Sequence, residues 1–280
     1  MLSLFVLSLT LSVPLILAAL GGLTSERSGV INIGLEGKML VAACITGLVG
    51  MASGNAFVGF LCGSGAAVAM SLLHYLVTQA FRVDHIISGM GLNALAVGLT
   101  SVLHKRLTNP DFTDRIPGFP VQVYWVIAGA AVVGIAWYLN RTKGGLRLSA
   151  VGNDPDKARQ MGVQPTLVRF YALVATGLFC GLAGSLIVTN AGSFTENMTA
   201  GKGYIALAAL ILGGWRPLPA LLACILFGFF EALQIQLQGQ AILGVDLPSW
   251  VWQSLPYFVT IVALAGFLGK NQAPAGLGRP

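Results

Sequence analysis

Forty-three consecutive residues, Met39 to Phe81, contain no Asp, Glu, Lys or Arg. One transmembrane helix takes about 20 apolar residues, so a run of this length holds two crossings joined by a turn. The turn falls at Ser53-Gly54-Asn55, three residue types that break regular structure. Residues 1–25, 86–104, 116–140, 170–195 and 247–269 are also uncharged, and each is long enough for one crossing. The segment that starts at Pro217 crosses if it tolerates one carboxylate, Glu231, before Gln238. Residues 203–215 are too few for a full crossing and read as a re-entrant or broken helix. Membrane strands alternate apolar and polar residues, whereas these runs are continuously apolar. The expected fold is therefore an all-α integral membrane protein, a polytopic bundle of about 8–9 transmembrane helices.

Composition agrees and removes the competing classes. Charged residues make up 9% of the chain, against about 25% in a soluble domain. Disordered, collagenous, disulfide-scaffold and ordinary cytosolic enzyme classes are excluded. The net charge of +6 reflects topology, because basic residues gather in cytoplasmic loops. The longest polar stretch, 141–169, holds Arg141, Lys143, Arg147, Lys157, Arg159 and Arg169, and is placed in the cytoplasm. Alternation, with 203–215 counted as a crossing, adds Arg27, Lys38, Arg82, Arg216, Lys270 and Arg279 inside. It leaves Lys105, Arg106, Arg115 and Lys202 outside. The N-terminus is then outside and the C-terminus inside. Residues 1–25 have no basic flank of the kind a secretory signal carries and read as a retained first helix. No basic patch with interleaved aromatics points to nucleic acid.

Several chemistries lack their motifs. The two Gly-Lys pairs, Gly37-Lys38 and Gly201-Lys202, are followed by Met39 and Gly203. Neither provides the Ser or Thr that a phosphate-cradling GxxxxGK[ST] loop needs. Hydrolase signatures are missing too, so no catalytic residue is assigned. Cys44, Cys62, Cys180 and Cys224 lie in apolar segments without ligand spacing and read as packing residues; no metal and no cofactor is expected. His74 sits within the third crossing, where a helix–helix hydrogen bond is the default. Intramembrane acids that could couple a proton or sodium ion are few, chiefly Glu36 and Glu231. The polar side chains around Glu231 suit a pore-facing patch and a helix–helix contact equally.

The stretch 144–162 carries the grammar of a short helix. Asn153 or Asp154 can cap it, Pro155 suits its first position, and Asp156 favours its positive end. Gly162 then supplies a left-handed stop. Local grammar alone describes a surface helix between two crossings, with small Ala158 and exposed Met161 available to a partner's groove.

Four segments, in order over roughly Gly22 to Phe267, resemble the permease subunit of ATP-binding-cassette importers for nucleosides, ribose-like sugars and branched-chain amino acids. They are Glu26-Arg27-Ser-Gly29 through Asn32, Glu36 and Gly37; Ser88-Gly89 through Asn93; Leu146-Arg147 through Gly152, Asp154, Pro155, Ala158 and Gly162; and Asn197-Met-Thr-Ala-Gly201 through Tyr204, Gly213 and Pro217. The first and fourth look most like the nucleoside-type members. The resemblance implies that Pro155 to Gly162 is a coupling helix docking into an ATPase subunit, with Gly152, Asp154, Pro155, Ala158 and Gly162 its matching residues. It also implies alternating access, an extracytoplasmic substrate-binding protein, and a second, non-identical permease subunit in the inner (plasma) membrane. The same architecture serves simple sugars and branched-chain amino acids, and a stand-alone secondary transporter is the remaining alternative.

Asn32-Ile-Gly34-Leu-Glu36-Gly37 and Asn197-Met-Thr-Ala-Gly201 each place Asn before a glycine-containing helix start and read as matching parts of an internal repeat. Paired interrupted helices point to a transporter's central path. Close packing through small residues explains most of the glycines. It explains Asn32, Glu36, Asn93 and Asn197 less well, because such groups are costly to bury without partners. These four are the expected pathway residues, with Arg27 pairing structurally with Glu26 or Glu36. Residues 1–269 form one permease domain containing the coupling loop 141–169, and 270–280 form a short cytoplasmic tail.

Overall fold

A computed structural model of the chain describes residues 2–107, 121–238, 248–267 and 273–279. Arg115 and Lys270, assigned to opposite sides above, lie outside the described residues. Within them the chain forms eleven helices and no strand. They are α1 (Leu2–Glu26), α2 (Leu35–Ser53), α3 (Ala56–Tyr75, continued by a π-helical turn Leu76–Ala80), α4 (His85–Leu107) and α5 (Val121–Arg141). Then come α6 (Lys143–Asn153), α7 (Pro155–Gln160), α8 (Pro165–Ala191), α9 (Lys202–Leu212), α10 (Pro217–Leu237) and α11 (Ser249–Phe267). Seven of the described helices, α1 to α5, α8 and α10, are long and apolar enough to cross a membrane. Helix α11 has 19 residues and occupies the uncharged run that begins at residue 247. Helix α9 has only 11 residues, about 16 Å at the standard rise, and is a partial crossing.

The turn inside the 43-residue run forms where the residues require it. Gly54 closes α2 in the left-handed region (φ +62°), and the Asn55 side chain accepts from the Phe57 N–H to open α3. Glycines then bring three helices together. A Cβ on Gly184 of α8 would collide with the Met39 carbonyl of α2, and one on Gly177 would stand 2.6 Å from Val68 Cα of α3. Lipid tails are as apolar as the helices, so association rests on this close packing and on interhelical hydrogen bonds. Thr46 and Ser185 hydroxyls meet at 2.7 Å between α2 and α8, and the Thr176 hydroxyl of α8 donates to the Gly21 carbonyl of α1 at 2.8 Å. Each such bond contributes about 0.6 kcal/mol on average.

One end of the bundle is tied together by arginine. Arg169, 2% exposed at the start of α8, donates to the Ser28 carbonyl after α1, to Gln79 Oε1 at the end of α3, and to the Arg279 carbonyl. Residues 273–279 thread between the other loops: the Gly276 N–H donates to the Gly152 carbonyl and the Gly278 N–H to the Gly29 carbonyl, both at 2.9 Å. This is the basic face. Two expectations change here. Lys202 does not stand in a loop on the opposite side, because it opens α9 inside the bundle and pairs with Glu231 of α10. Lys38 is fully buried rather than facial. The 141–169 stretch also contains α6 as well as the short helix. Thr142 caps α6 by accepting from the Gly145 N–H, and Leu148 and Val151 are buried beneath it.

Candidate functional site

Two full-length crossings, α1 and α8, each end in a non-helical connection. After α1 the chain leaves the helix over residues 27–34 before α2 begins. After α8 it descends through 192–201 before α9 begins, with Asn197 (φ +57°), Ala200 (φ +45°) and Gly201 (φ +82°) in the left-handed region. Non-glycine residues reach that region only under constraint from their surroundings. The constraint here is Glu36, in the first turn of α2. Its Oε1 accepts from the Thr199 hydroxyl at 2.6 Å and the Gly201 N–H at 2.8 Å, and its Oε2 accepts from the Gly203 N–H at 2.6 Å. A carboxylate in the first turn of α2 thus faces the positive N-terminal end of the short helix α9. Gly203 is required, since a Cβ there would stand 2.5 Å from the Glu36 backbone nitrogen.

Helix α4 completes the junction. Asn93 Oδ1 accepts from the Gly37 N–H at 2.8 Å, and its Nδ2 donates to the Ile33 carbonyl at 3.0 Å and to Tyr204 Oη at 2.8 Å. Beside it lies an open cavity of about 450 Å³ whose polar wall is Glu36, Asn93, Asn197 and Tyr204, faced by Met90 and Val97. Apolar surface with a few convergent polar groups is what a small-solute site needs. Three of the four pathway residues expected from sequence therefore line one cavity. Asn32 does not. It is fully buried, with Nδ2 donating to Ser25 Oγ at 3.0 Å and Oδ1 accepting from Lys38 Nζ at 2.7 Å. The Lys38 ammonium also lies 3.4 Å from His74 Nδ1, the helix–helix contact anticipated for that histidine.

Tyr204 and Thr199 escaped the sequence reading as site residues, although both stand in the segment that carried the resemblance. An aromatic hydroxyl three residues into a short apolar helix was the available signal. Glu231 lies apart from Glu36, and with Gln234 it lines a cavity of its own. Paired with Lys202, it stands on the wall of this cavity of about 330 Å³ on the other flank of α9, beside Tyr257. Arg27 pairs with neither Glu26 nor Glu36; it donates to the Trp215 carbonyl at 3.3 Å, while Glu26 accepts from Trp215 Nε1 at 2.6 Å.

On the basic face α7 takes the short-helix form. Asp154 is the cap, accepting from the Lys157 N–H at 3.0 Å, with Pro155 in first position. That N–H, helped by the Lys157 ammonium, holds the Asp154 carboxyl below the usual carboxylate range. Gly162 (φ +82°) ends the helix, and the Val163 N–H donates back to the Ala158 carbonyl. Ala158 is 3% exposed and packs against its own chain, so it is not the residue that meets a partner; Met161, 85% exposed, is free to do so. Gly152 is pressed against the Arg27 carbonyl, leaving no room for a side chain. Among the described residues no group of His, Cys, Asp and Glu has metal-ligand geometry.

Residues 4–264 match the family model described as branched-chain amino acid transport system / permease component. The chain is 37% identical to the guanosine ABC transporter permease protein NupQ of Bacillus subtilis (strain 168), over 98% of this chain and 94% of that one. It is 35% identical to the nucleoside ABC transporter permease protein NupC of Lactococcus lactis subsp. cremoris (strain MG1363), over 94% and 91%. A putative glucose ABC transporter permease protein of Haloferax volcanii, TsgC13, is 32% identical over 80% and 74%.

Proposed function

This chain belongs to the permease-component family of branched-chain amino acid transport systems, and from that premise we propose that it forms one half of a path for nucleosides. It is the permease subunit of an ATP-binding-cassette importer, a multi-pass protein of the bacterial inner membrane. The ATPase and the substrate-binding protein are separate partners, and the family's permeases carry no nucleotide-binding motif.

The observation that carries the substrate reading is the cavity of Asn93, Asn197 and Tyr204 at the junction of α2, α4 and α9. The Asn197 carboxamide, the Tyr204 hydroxyl hydrogen and the second lone pair of Asn93 Oδ1 supply the mixed donors and acceptors that a base edge and ribose hydroxyls require. The names of the two nucleoside-type relatives support the same class. Glu36 holds the junction together, and Asn32 with Lys38 braces the chain before α2. The cavity opens along α4, whose Met90 and Val97 sides are exposed in the single chain. A second, non-identical permease covers that side and completes the path.

Helix α7 on the basic face, taken as cytoplasmic, is the coupling helix. Met161 enters the ATPase groove, Asp154 and Pro155 start the helix, and Gly162 ends it. Ala158 and Gly152 seat it on the permease. Because Gly152 abuts the Arg27 carbonyl, movement of α7 passes to the α1–α2 connection and, through Glu36, to α9.

Cells lacking the chain are expected to lose uptake of labelled guanosine and other nucleosides, regained on re-expression, while ribose and leucine uptake is unchanged. Loss of sugar or leucine uptake with nucleoside uptake intact overturns the substrate reading. Gradient-driven flux through the reconstituted chain alone would instead establish a secondary transporter. Against that reading, Glu36 accepts three hydrogen bonds from the start of α9 and the segment before it, and Glu231 is paired with Lys202.

A further inference from the structure

A second large cavity takes no part in the path described above. It holds about 620 Å³ on the basic face, between the α1–α2 connection, α6, the α9–α10 turn and residues 273–274. Two guanidinium groups, Arg27 and Arg216, stand on its wall with Ser149 and Asn153. Among the described residues neither forms an ion pair with a carboxylate. The nearest acid in sequence, Glu26, is spent on Trp215 Nε1 and the Asn32 N–H and is 2% exposed.

Like charges in one concavity repel, and the backbone here makes the repulsion worse. Arg216 is the residue before α10, so the positive end of a 21-residue helix opens onto the same wall. Arg27 is held in position by the Trp215 carbonyl, itself presented by a left-handed turn at Gly214 (φ +59°) and Trp215 (φ +54°). Burial and the neighbouring Arg216 both push the Arg27 guanidinium below its ordinary range. Orienting a membrane protein needs basic residues near the surface only. It does not account for two guanidinium groups lining one hollow, Arg27 held in place, with hydroxyl and carboxamide donors beside them.

We propose that this cavity is a binding site for a phosphate-bearing anion, gripped by Arg27 and Arg216 and hydrogen-bonded by Ser149 and Asn153. Guanidinium forks match phosphate oxygens in pairs, and the negative charge of a phosphate relieves the repulsion between the two arginines. The volume lies in the range of small-molecule sites. Because its walls come from separate elements, an occupant joins the α1–α2 connection and α6 to the α9–α10 turn. The phosphate can belong to a free small molecule or to a lipid headgroup; the chemistry is shared.

The test uses the assembled, nucleotide-free complex with its ATPase and partner permease, in phosphatidylcholine nanodiscs. Inorganic phosphate is expected to raise Tm above chloride at matched ionic strength. The Arg27→Gln/Arg216→Gln variant weakens the phosphate midpoint at least about tenfold, the scale of a lost hydrogen bond to a charged group. Should that variant fail to assemble, Arg27→Lys and Arg216→Lys keep the charge without the fork and are expected to weaken phosphate several-fold. Adding phosphatidylglycerol to the discs separates the sources. Loss of the phosphate response in wild type identifies a headgroup as occupant, and persistence identifies a free anion. A phosphate response no larger than that to chloride, or one equal in the arginine variants, overturns the proposal.

Discussion

Glu36 does the work of a joint: one carboxylate satisfies three donors from a segment more than 160 residues away. Glu36→Ala leaves those donors unpaired, a cost of about 3 kcal/mol, and is expected to lower Tm in detergent and cut uptake more than about tenfold. Glu36→Gln keeps an acceptor for Thr199 but turns a donor toward the Gly203 N–H, so an intermediate loss is expected in both assays. The Lys202–Glu231 pair behaves differently, because removing one buried partner strands the other. Glu231→Leu alone is expected to destabilise by about 3–5 kcal/mol, and Lys202→Met/Glu231→Leu together by much less; thermal unfolding of the two variants checks the order. Sequence made Glu36, Asn93 and Asn197 visible because a polar side chain in an apolar run needs a partner. It could not separate Asn32 from them, since the same rule is satisfied by a buried knot of Ser25 and Lys38 as by a cavity wall.

Helix boundaries were legible wherever a residue has a local reason to end a helix. Ser53-Gly54-Asn55 and Asp154-Pro155 fall where expected, while α6 was missed because its buried face, Leu148 and Val151, is defined only by what packs on it. Lys202 was misplaced for a related reason. Counting a full crossing puts the start of the 203–215 segment at the far surface, whereas an 11-residue helix starts within the bundle. The short helix α7 separates two effects that its sequence merges. Met161→Glu, on an 85% exposed side chain, is expected to leave Tm within about 1 °C and to abolish co-purification of the ATPase. Ala158→Arg, at 3% exposure, is expected to lower Tm by several degrees as well, since the added bulk has no space within the chain. Pull-down and thermal scans on both variants distinguish docking from seating.

Across the whole molecule, charge placement gives a direction that cysteine labelling can read. With the basic face in the cytoplasm, Met161→Cys is expected to react with a membrane-impermeant maleimide only in inverted vesicles. Glu196→Cys, near Lys105 at the far end of α4, reacts only in intact cells, relative to a background with the four native cysteines replaced. The opposite pattern reverses the bundle. The contacts of residues 273–279 bear on a different matter, the order of biogenesis. Those residues hold Gly152 and Gly29, and Arg169 grips the Arg279 carbonyl, yet they are synthesised after all eleven helices. Until they emerge, the seat of α7 lacks one of its walls. A nascent permease therefore has no finished surface to offer a motor, and coupling to ATP hydrolysis waits until the bundle itself has been inserted.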